Sequence, residues 1–520
     1  MIRSTFAGFT TAQLGMAASQ KALDVVGQNI ANINTPGYTR QRLDIASLNT
    51  QKGDFYNSNS SVRVGFGVEM TGVSQLRDPF LDAQYRSQIG KLGTTDAHAA
   101  GFDRLSDILD EATVSGVRDA LSAVTNALST LSNEVGNKEF DTMVRSKMQV
   151  LLNLFHDNAT RLQDVREDIQ TGFATTDITS VNELLENIAN LNSNIKNSQI
   201  LGNPALELQD QRNSLLDELA SYLPITVKYE EKSISPDQTI EVLDVRFTDV
   251  NGKSYTLISD GLFGKFDTDI TGQPVTLSLT DAKGNTSDIT DLLGNGTLKG
   301  TLDLLNKSGD FDNSDFKGLG YYEKALDSLV ATFAEAFNKA NMAVKTDDKG
   351  NVIGTGTPTE DRPLFATNDN SGVFTASNIK IADGWTDGTY GITNSVVPVD
   401  DKIGSTARDN ILNMINLLQS PHKFSVNGTK FYTGSFYDCF ANIENTLGID
   451  ANSAQTMLNN QISVINQTSN SRDAISGVSL DEEGMNLLHF NQSYSAAARL
   501  MTTLDEALDK LINGTGVVGR

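Results

Sequence analysis

The sequence predicts a mainly α-helical protein with a β-rich insert, elongated and multidomain, its N- and C-terminal helices paired as a coiled coil. Three observations predict this. Apolar residues recur every seven positions at both ends of the chain. Proline is absent between Pro79 and Pro204 and again after Pro421, so long helices can run there unbroken. Between about 225 and 300 the pattern changes to the two-residue alternation of half-buried strands.

The N-terminal element comes first. Ile2, Phe9, Met16, Leu23 and Ile30 recur every seven residues, and Thr5, Ala12, Ser19, Val26 and Ile33 follow three residues after each. This is a seam with large residues at one position and mostly smaller ones at the other. A helix over residues 5–34 would be about 45 Å long. Gly8, Gly15 and Gly27 each weaken it by roughly 1 kcal/mol relative to alanine. Such a helix needs a partner to persist. Its end is marked by Asn29-Ile-Ala-Asn32-Ile-Asn34-Thr35-Pro36-Gly37-Tyr38-Thr39-Arg40-Gln41. Proline pushes Thr35 out of the α region, and Pro36-Gly37 favours a tight turn into an extended segment.

Residues 100–170 and 178–222 have helical spacing and few turn signals. Leu184, Ile188, Leu191 and Ile195 form one clear row. Strands are expected at Ile225-Thr-Val227, Ile240-Glu-Val242 and Val245-Arg-Phe247, with turns at Asn251-Gly252 and Gly284-Asn285. Helical pattern returns at about 320–342 and 405–419, around a second β-like, Gly-rich stretch at 346–400. The last helix carries its own seam: Leu487, Tyr494, Met501 and Leu508, with Phe490, Ala497, Leu504 and Leu511 offset by three. Gly484, a weak helix former, stands near its start.

The expected organisation has three units. Residues 1–50 and 475–520 form a terminal unit. Residues 51–224, 301–345 and 401–474 form a helical frame. Residues 225–300 and 346–400 form β-rich outer domains. At 520 residues the chain exceeds one ordinary core.

Composition narrows the function. With 38% hydrophobic and 20% charged residues the chain reads as globular. A net charge of −24 repels phosphate backbones, so nucleic acid is not an expected partner. Charge is unevenly spread. Residues 1–50 hold Arg3, Lys21, Arg40 and Arg42 against Asp24 and Asp44, a net of +2. Residues 471–520 hold four basic residues against seven acidic ones, a net of −3. Opposite signs suit two helices side by side. No run of about 18 apolar residues exists, so membrane insertion is not expected. The N-terminus lacks the apolar core of a cleaved leader. Cys439, alone, can form no intramolecular disulfide.

Chemistry is not apparent. His98, His156, His422 and His489 show no ligand spacing, and nothing around Cys439 suggests a nucleophile–base pair. Gly65-Phe-Gly67 reads as a turn. Asp310, Asp312 and Asp315, like Asp347-Asp348, lack the glycine-and-glutamate frame of a calcium loop. No catalytic residue, metal or cofactor is expected.

The run ending the first helix, with Asn32, Asn34, Thr35, Pro36, Gly37 and Tyr38, resembles the signature shared by bacterial flagellar rod, hook and hook-associated proteins. Its close, Tyr38-Thr-Arg-Gln41, resembles the first hook-associated family in particular. So do Gly477-Val-Ser-Leu480-Asp-Glu-Glu483 and Asn486-Leu-Leu-His-Phe490-Asn-Gln492-Ser-Tyr494-Ser-Ala-Ala-Ala498. Interior segments agree: Arg77-Asp-Pro-Phe-Leu-Asp-Ala-Gln84, Asp210-Gln-Arg212 with Leu215-Leu-Asp-Glu218, and Ala331-Thr-Phe-Ala-Glu-Ala-Phe-Asn338.

The resemblance implies a non-enzymatic structural subunit, extracellular, joining hook to filament. It implies type III flagellar export without a cleaved leader, and terminal helices that line an inner tube. The implied partners are further copies of the chain in a ring, the hook protein, the second junction protein, the export apparatus and a cytoplasmic chaperone on the C-terminal helix. The residues implied for assembly are Phe9, Met16, Leu23, Val26, Ile30 and Ile33 with Leu487, Phe490, Tyr494, Ala497, Met501, Leu504, Leu508 and Leu511. Another axial subunit, an enzyme or adhesin carried on this frame in residues 225–400, and a cytosolic coiled-coil protein are the competing readings.

Overall fold

The computed structural model describes residues 5–48, 67–109, 116–135, 137–235, 238–341, 343–344, 358–360, 362–394 and 408–514. Ile2, Arg3, Gly65, Phe66, Asp347 and Asp348 lie outside them.

The chain opens with α1 (Thr5–Ala31), which ends three residues before the expected stop. Strands β1 (Gln41–Ser47) and β2 (Val68–Gln75) pair antiparallel across the boundary expected at residue 50. A helical series follows: α2 (Pro79–Leu109), α3 (Val117–Asn133), α4 (Lys138–Gly172), α5 (Ile178–Ile200) and α6 (Leu206–Tyr222). A π-helical turn, Phe173–Asp177, joins α4 to α5 without a break. Its Phe173 points into the core at 1% exposure, so the wider turn serves packing.

The insert follows as expected from the alternation. β3 (Ile225–Ser235), β4 (Gln238–Thr248), β5 (Ser254–Ser259) and β6 (Leu262–Phe263) form one antiparallel sheet in that order. β7 (Lys265–Asp269), β8 (Thr276–Thr280) and β9 (Thr286–Asp288) form a second. Both pack on α5. Val245, Phe247, Leu277 and Leu279 enter the core from these strands while their sequence neighbours face out.

Helices resume with α7 (Thr297–Asn306) and α8 (Leu319–Ala340). α7 lies close on α2: a Cβ on Gly300 would stand 2.7 Å from Ala97 Cβ, so only glycine permits the approach. The second β-like stretch is sparser than its pattern suggests. It holds short ladders, β10 (Ala343–Val344) with β11 (Pro358–Glu360), and β12 (Phe365–Thr367) with β13 (Ile379–Ile381), besides one turn of helix, α9 (Asp383–Thr386). β12 and β13 pack on α8 and α4, not on the insert's sheets. After α10 (Asp409–Gln419) comes a hairpin that the reading did not foresee, β14 (His422–Val426) with β15 (Thr429–Gly434), turning at Asn427-Gly428, both in positive φ.

Two long helices close the chain: α11 (Phe436–Ser476) and α12 (Leu480–Gly514). Ser435 and Asp438 form a capping box at the start of α11. α11 runs along α2, and α12 packs on α1. One continuous core spans the frame and the insert. At its centre Phe333 meets Phe337, Phe365 and Phe436, with ring centroids 4.7–5.4 Å apart. No helix among the described residues is long and apolar enough to cross a membrane.

Candidate functional site: the terminal helices and the polar collar at their base

α1 and α12 meet antiparallel. A Cβ on Gly8 would stand 3.1 Å from Leu504 Cδ1, while Asn29 Nδ2 donates to Glu483 Oε2 at 3.3 Å. The covered face of α1 is made chiefly of its small residues. Ala12, Ala18, Ser19, Ala22, Val25, Val26 and Asn29 are buried. The large seam residues Phe9, Met16, Leu23 and Ile30 are only half-buried, and Ile33 lies exposed beyond the helix end. On α12, Phe490, Ala497, Met501, Leu504 and Leu508 are half-buried. Leu487, Tyr494 and Leu511 are exposed, contrary to a seam closed within one chain. The single fully buried residue of α12 is Glu483. Gly484, the second-turn glycine, does not interrupt the helix.

The motif after α1 folds back on the helix. Asn32 Nδ2 donates to Gln28 O at 3.0 Å, and Thr35 Oγ1 donates to Asn32 Oδ1 at 3.2 Å. Thr35 N donates to Asn32 O at 2.9 Å, and Tyr38 N to Thr35 O at 3.2 Å. Asn34 and Pro36 are exposed. Gly37 takes φ +77°, the left-handed region its place after proline anticipated. This reversal returns Tyr38 to the helix, where its hydroxyl donates to Asn29 Oδ1 at 2.9 Å. The Asn29 amide then mimics a strand. It donates to Gln41 O and accepts from Gln41 N, both at 2.9 Å.

Around this turn lies a collar of buried charge. Glu483, 1% exposed, accepts from Arg40 Nε at 2.8 Å, and Arg40 also pairs with Glu482. The Arg40 backbone is held from two sides: its N–H donates to Ser476 O at the end of α11 and its carbonyl accepts from Leu76 N after β2, both at 2.9 Å. Asp210 on α6 accepts from Thr39 N at 3.0 Å and from the Thr39 hydroxyl. Burial pushes the Asp210 carboxyl above its ordinary range, against the pull of those Thr39 bonds and of Arg77. Burial, reinforced by Asp210, Glu207 and Glu483, pushes the Tyr38 phenol up, so it stays a neutral donor.

A second layer ties in the frame. Arg77 forks onto Asp82 at 2.9 and 3.0 Å. Arg86 donates to Asp217 at 2.7 Å, and Arg472 on α11 reaches the same carboxylate while its guanidinium lies 3.9 Å from the Tyr85 ring centroid. The collar therefore joins the end of α1 to α2, α6, α11 and α12. The oppositely charged ends anticipated from the sequence meet here, through Arg40 and the Glu482–Glu483 pair.

The arrangement can hold helices; it presents no reacting group. Its acids are engaged by arginine, threonine, asparagine or backbone donors. Three of the four histidines are used structurally: His156 bonds Ile379 O and His422 bonds Leu417 O, each at 2.7 Å, and His98 stacks on Phe316; His489 is exposed on α12. Burial pushes the Cys439 thiol up, away from thiolate chemistry. Among the described residues no group of His, Cys, Asp and Glu could hold a metal.

Arg40, Arg77, Asp82, Arg86, Asp210, Asp217, Arg472 and Glu483 were not singled out as site residues from the sequence. A signal existed at two places. Glu483 stands seven before Phe490, a charge at the head of an apolar heptad row, and Asn29 stands first in the run that ends the first helix.

Known families match three stretches of the chain. Residues 102–353 match the family described as the flagellar hook-associated protein FlgK helical domain. Residues 9–39 match the flagella basal body rod protein family, and residues 471–514 the C-terminal family of the flagellar basal body rod FlgEFG proteins. The solved structure of the flagellar hook junction protein FlgK from Burkholderia pseudomallei shares the fold, with a TM-score of 0.55 at 13% identity over 76% of this chain and 100% of that one. Flagellar hook-associated protein 1 of Escherichia coli (strain K12) is 26% identical, covering 96% of this chain and 98% of that protein. Flagellar hook-associated protein 1 of Bacillus subtilis (strain 168) is 30% identical, covering 99% of this chain and 100% of its own length. The chain thus belongs to the flagellar hook-associated protein 1 family, as a structural subunit of the bacterial flagellum.

Proposed function

We propose that this subunit forms the junction between hook and filament, outside the cell, and assembles through its two terminal helices as a coiled coil. One observation carries the reading: α1 and α12 meet at both ends and are bolted to the frame by the collar, yet α12 keeps Leu487, Leu488, Tyr494, Leu500, Leu511 and Ile512 exposed. An apolar face of that extent on a soluble chain calls for a cover. The occupants we assign are neighbouring copies in a ring, with the hook protein on one side and the second junction protein on the other. The terminal unit, residues 1–50 and 475–520, would line the inner tube. The frame (51–224, 301–345, 401–474) and the β-rich parts (225–300, 346–400) would lie outside it. The chain works without catalysis, metal or cofactor.

Before assembly the face of α12 needs protection, which supports a cytoplasmic chaperone that takes an amphipathic helix into a groove. Deleting residues 480–520 should abolish chaperone binding, and unchanged affinity would remove this part of the reading. Type III export without a cleaved leader completes it. The decisive experiment is gene deletion with electron microscopy. Cells should show hooks without filaments and shed flagellin into the medium; full filaments on the deleted strain would refute the function.

A further inference from the structure

The two contacts between α1 and α12 define one register. Gly8 meets Leu504 and Asn29 meets Glu483. Each pair of positions is 21 residues apart, three heptads on either helix. The intervening positions of the same rows are Gly15 and Ala22 on α1, and Phe490 and Ala497 on α12. Antiparallel order sets Ala22 against Phe490 and Gly15 against Ala497. A Cβ on Gly15 would meet nothing within 4 Å, as a small residue opposite requires.

Apolar packing alone does not favour this register. Sliding α12 by four residues would set Leu487 against Asn29, Tyr494 against Ala22, Met501 against Gly15 and Leu508 against Gly8. That is the larger and more continuous of the two rows, and the small residues of α1 could receive it. The slide is about 6 Å, within reach of the three-residue link 477–479 between α11 and α12. The observed register instead buries an acid and leaves Leu487 and Tyr494 exposed.

We propose that Glu483 is a register pin: held by Asn29 of α1 and by Arg40 just before β1, it forbids the slipped pairing and keeps Leu487 and Tyr494 facing outward. A buried carboxylate bonded to both partners cannot slide without losing them, and solvent does not reach it to compensate. A single polar residue in an apolar seam is the known device for fixing register at a cost in burial. Arg40 adds a second reference, because its backbone is bonded to Ser476 and Leu76; the pin thus sets α12 against the frame as well as against α1. Glu483 is a positioning residue. That the outward face then meets neighbouring copies rests on the proposed function; the register itself does not.

The test uses the full chain with paired cysteines and oxidative trapping, read as an intramolecular band on non-reducing gels. The native Cys439 is buried and contributes no partner. Gly8→Cys with Leu504→Cys should cross-link about tenfold more than Gly8→Cys with Leu508→Cys, corresponding to ~1.4 kcal/mol between registers. Glu483→Leu should reverse that preference, whereas Glu483→Gln, which keeps one acceptor oxygen and turns the other position into a donor, should weaken it without reversing it. Trapping records even transient pairing, so the readout does not require the variant to assemble. Equal yields at 504 and 508 in the parent, or an unchanged preference in Glu483→Leu, would overturn the pin. Loss of filaments with the preference intact would bear on the proposed function alone. In a chain with native Glu483, thiol labelling of Leu487→Cys should be high before assembly and fall in flagella; labelling unchanged by assembly would bear on the proposed function alone.

Discussion

α8 and α12 are both amphipathic helices, and they are used in opposite ways. α8 has 22 residues and buries twelve, among them Phe333, Phe337 and both tyrosines at 321 and 322. α12 has 35 residues and fully buries one, a glutamate. The frame is closed upon itself, with its aromatic centre sealed by neighbours from four elements. The terminal pair is left half open. A helix closed by its own chain contributes to folding; a helix with an uncovered apolar face keeps binding energy for something that arrives later.

One substitution in each helix should expose the difference most strongly. Phe333→Ala should lower frame stability by about 3–5 kcal/mol, seen as a large fall in the thermal midpoint. Leu504→Asp should leave that midpoint nearly unchanged and block incorporation at the hook tip. If Leu504→Asp melts the frame, α12 belongs to the folded core and the contrast fails.

Proteolysis reads the same difference without mutation. Limited digestion of the purified chain should remove roughly the first 40 and last 40 residues and spare the frame, because ends with few buried contacts open most often. Termini cut no faster than the interior would mean that the pair is a preformed domain.

Acid separates two sites within the frame. Burial lifts the Asp177 carboxyl, at the π-helical turn, to about 6. Its folded value lies above the unfolded one, so it costs stability at neutral pH, and that cost fades as pH falls from about 6 toward 4. Asp177→Asn should therefore stabilise at pH 8 by about 1–2 kcal/mol, discounted for partial exposure, and should have little effect near pH 4. Asp303 has the opposite sign. Burial alone would raise its carboxyl, but His98, Lys299 and Lys307 outweigh burial and hold it at about 2. Its contribution is full above about 4 and is lost as pH falls toward 2. Denaturation curves of Asp177→Asn and Asp303→Asn across this range should diverge; parallel curves would contradict both assignments.

The smallest effects lie in α1. Gly15→Ala adds a Cβ that meets nothing and should raise helix stability by up to about 1 kcal/mol. Gly8→Ala meets Leu504 at 3.1 Å and should gain less, or lose. Equal gains by circular dichroism would mean that the register drawn from that contact is absent in solution.

Much of this protein was legible from its residues. The proline gaps, the switch to two-residue alternation at 225 and the seven-residue rows place the helices and the insert, because period and turn chemistry are local. The run from Asn29 to Gln41 states its own geometry, down to positive φ at Gly37. The family was legible there too. Some elements escaped. β14 and β15 carry a weak alternation beside a strong Asn427-Gly428 turn, and β12 and β13 are held by long-range packing on α8 and α4. The collar escaped for the same reason. Asn29 and Glu483 are 454 positions apart, and nothing local shows that a surface-type glutamate ends in a dry site against Arg40. Sequence alone determined that α12 has two apolar rows. The register of α12 against α1 came from tertiary packing, because periodicity fixes the spacing within a helix, while register depends on the partner and on the one buried charge held between them.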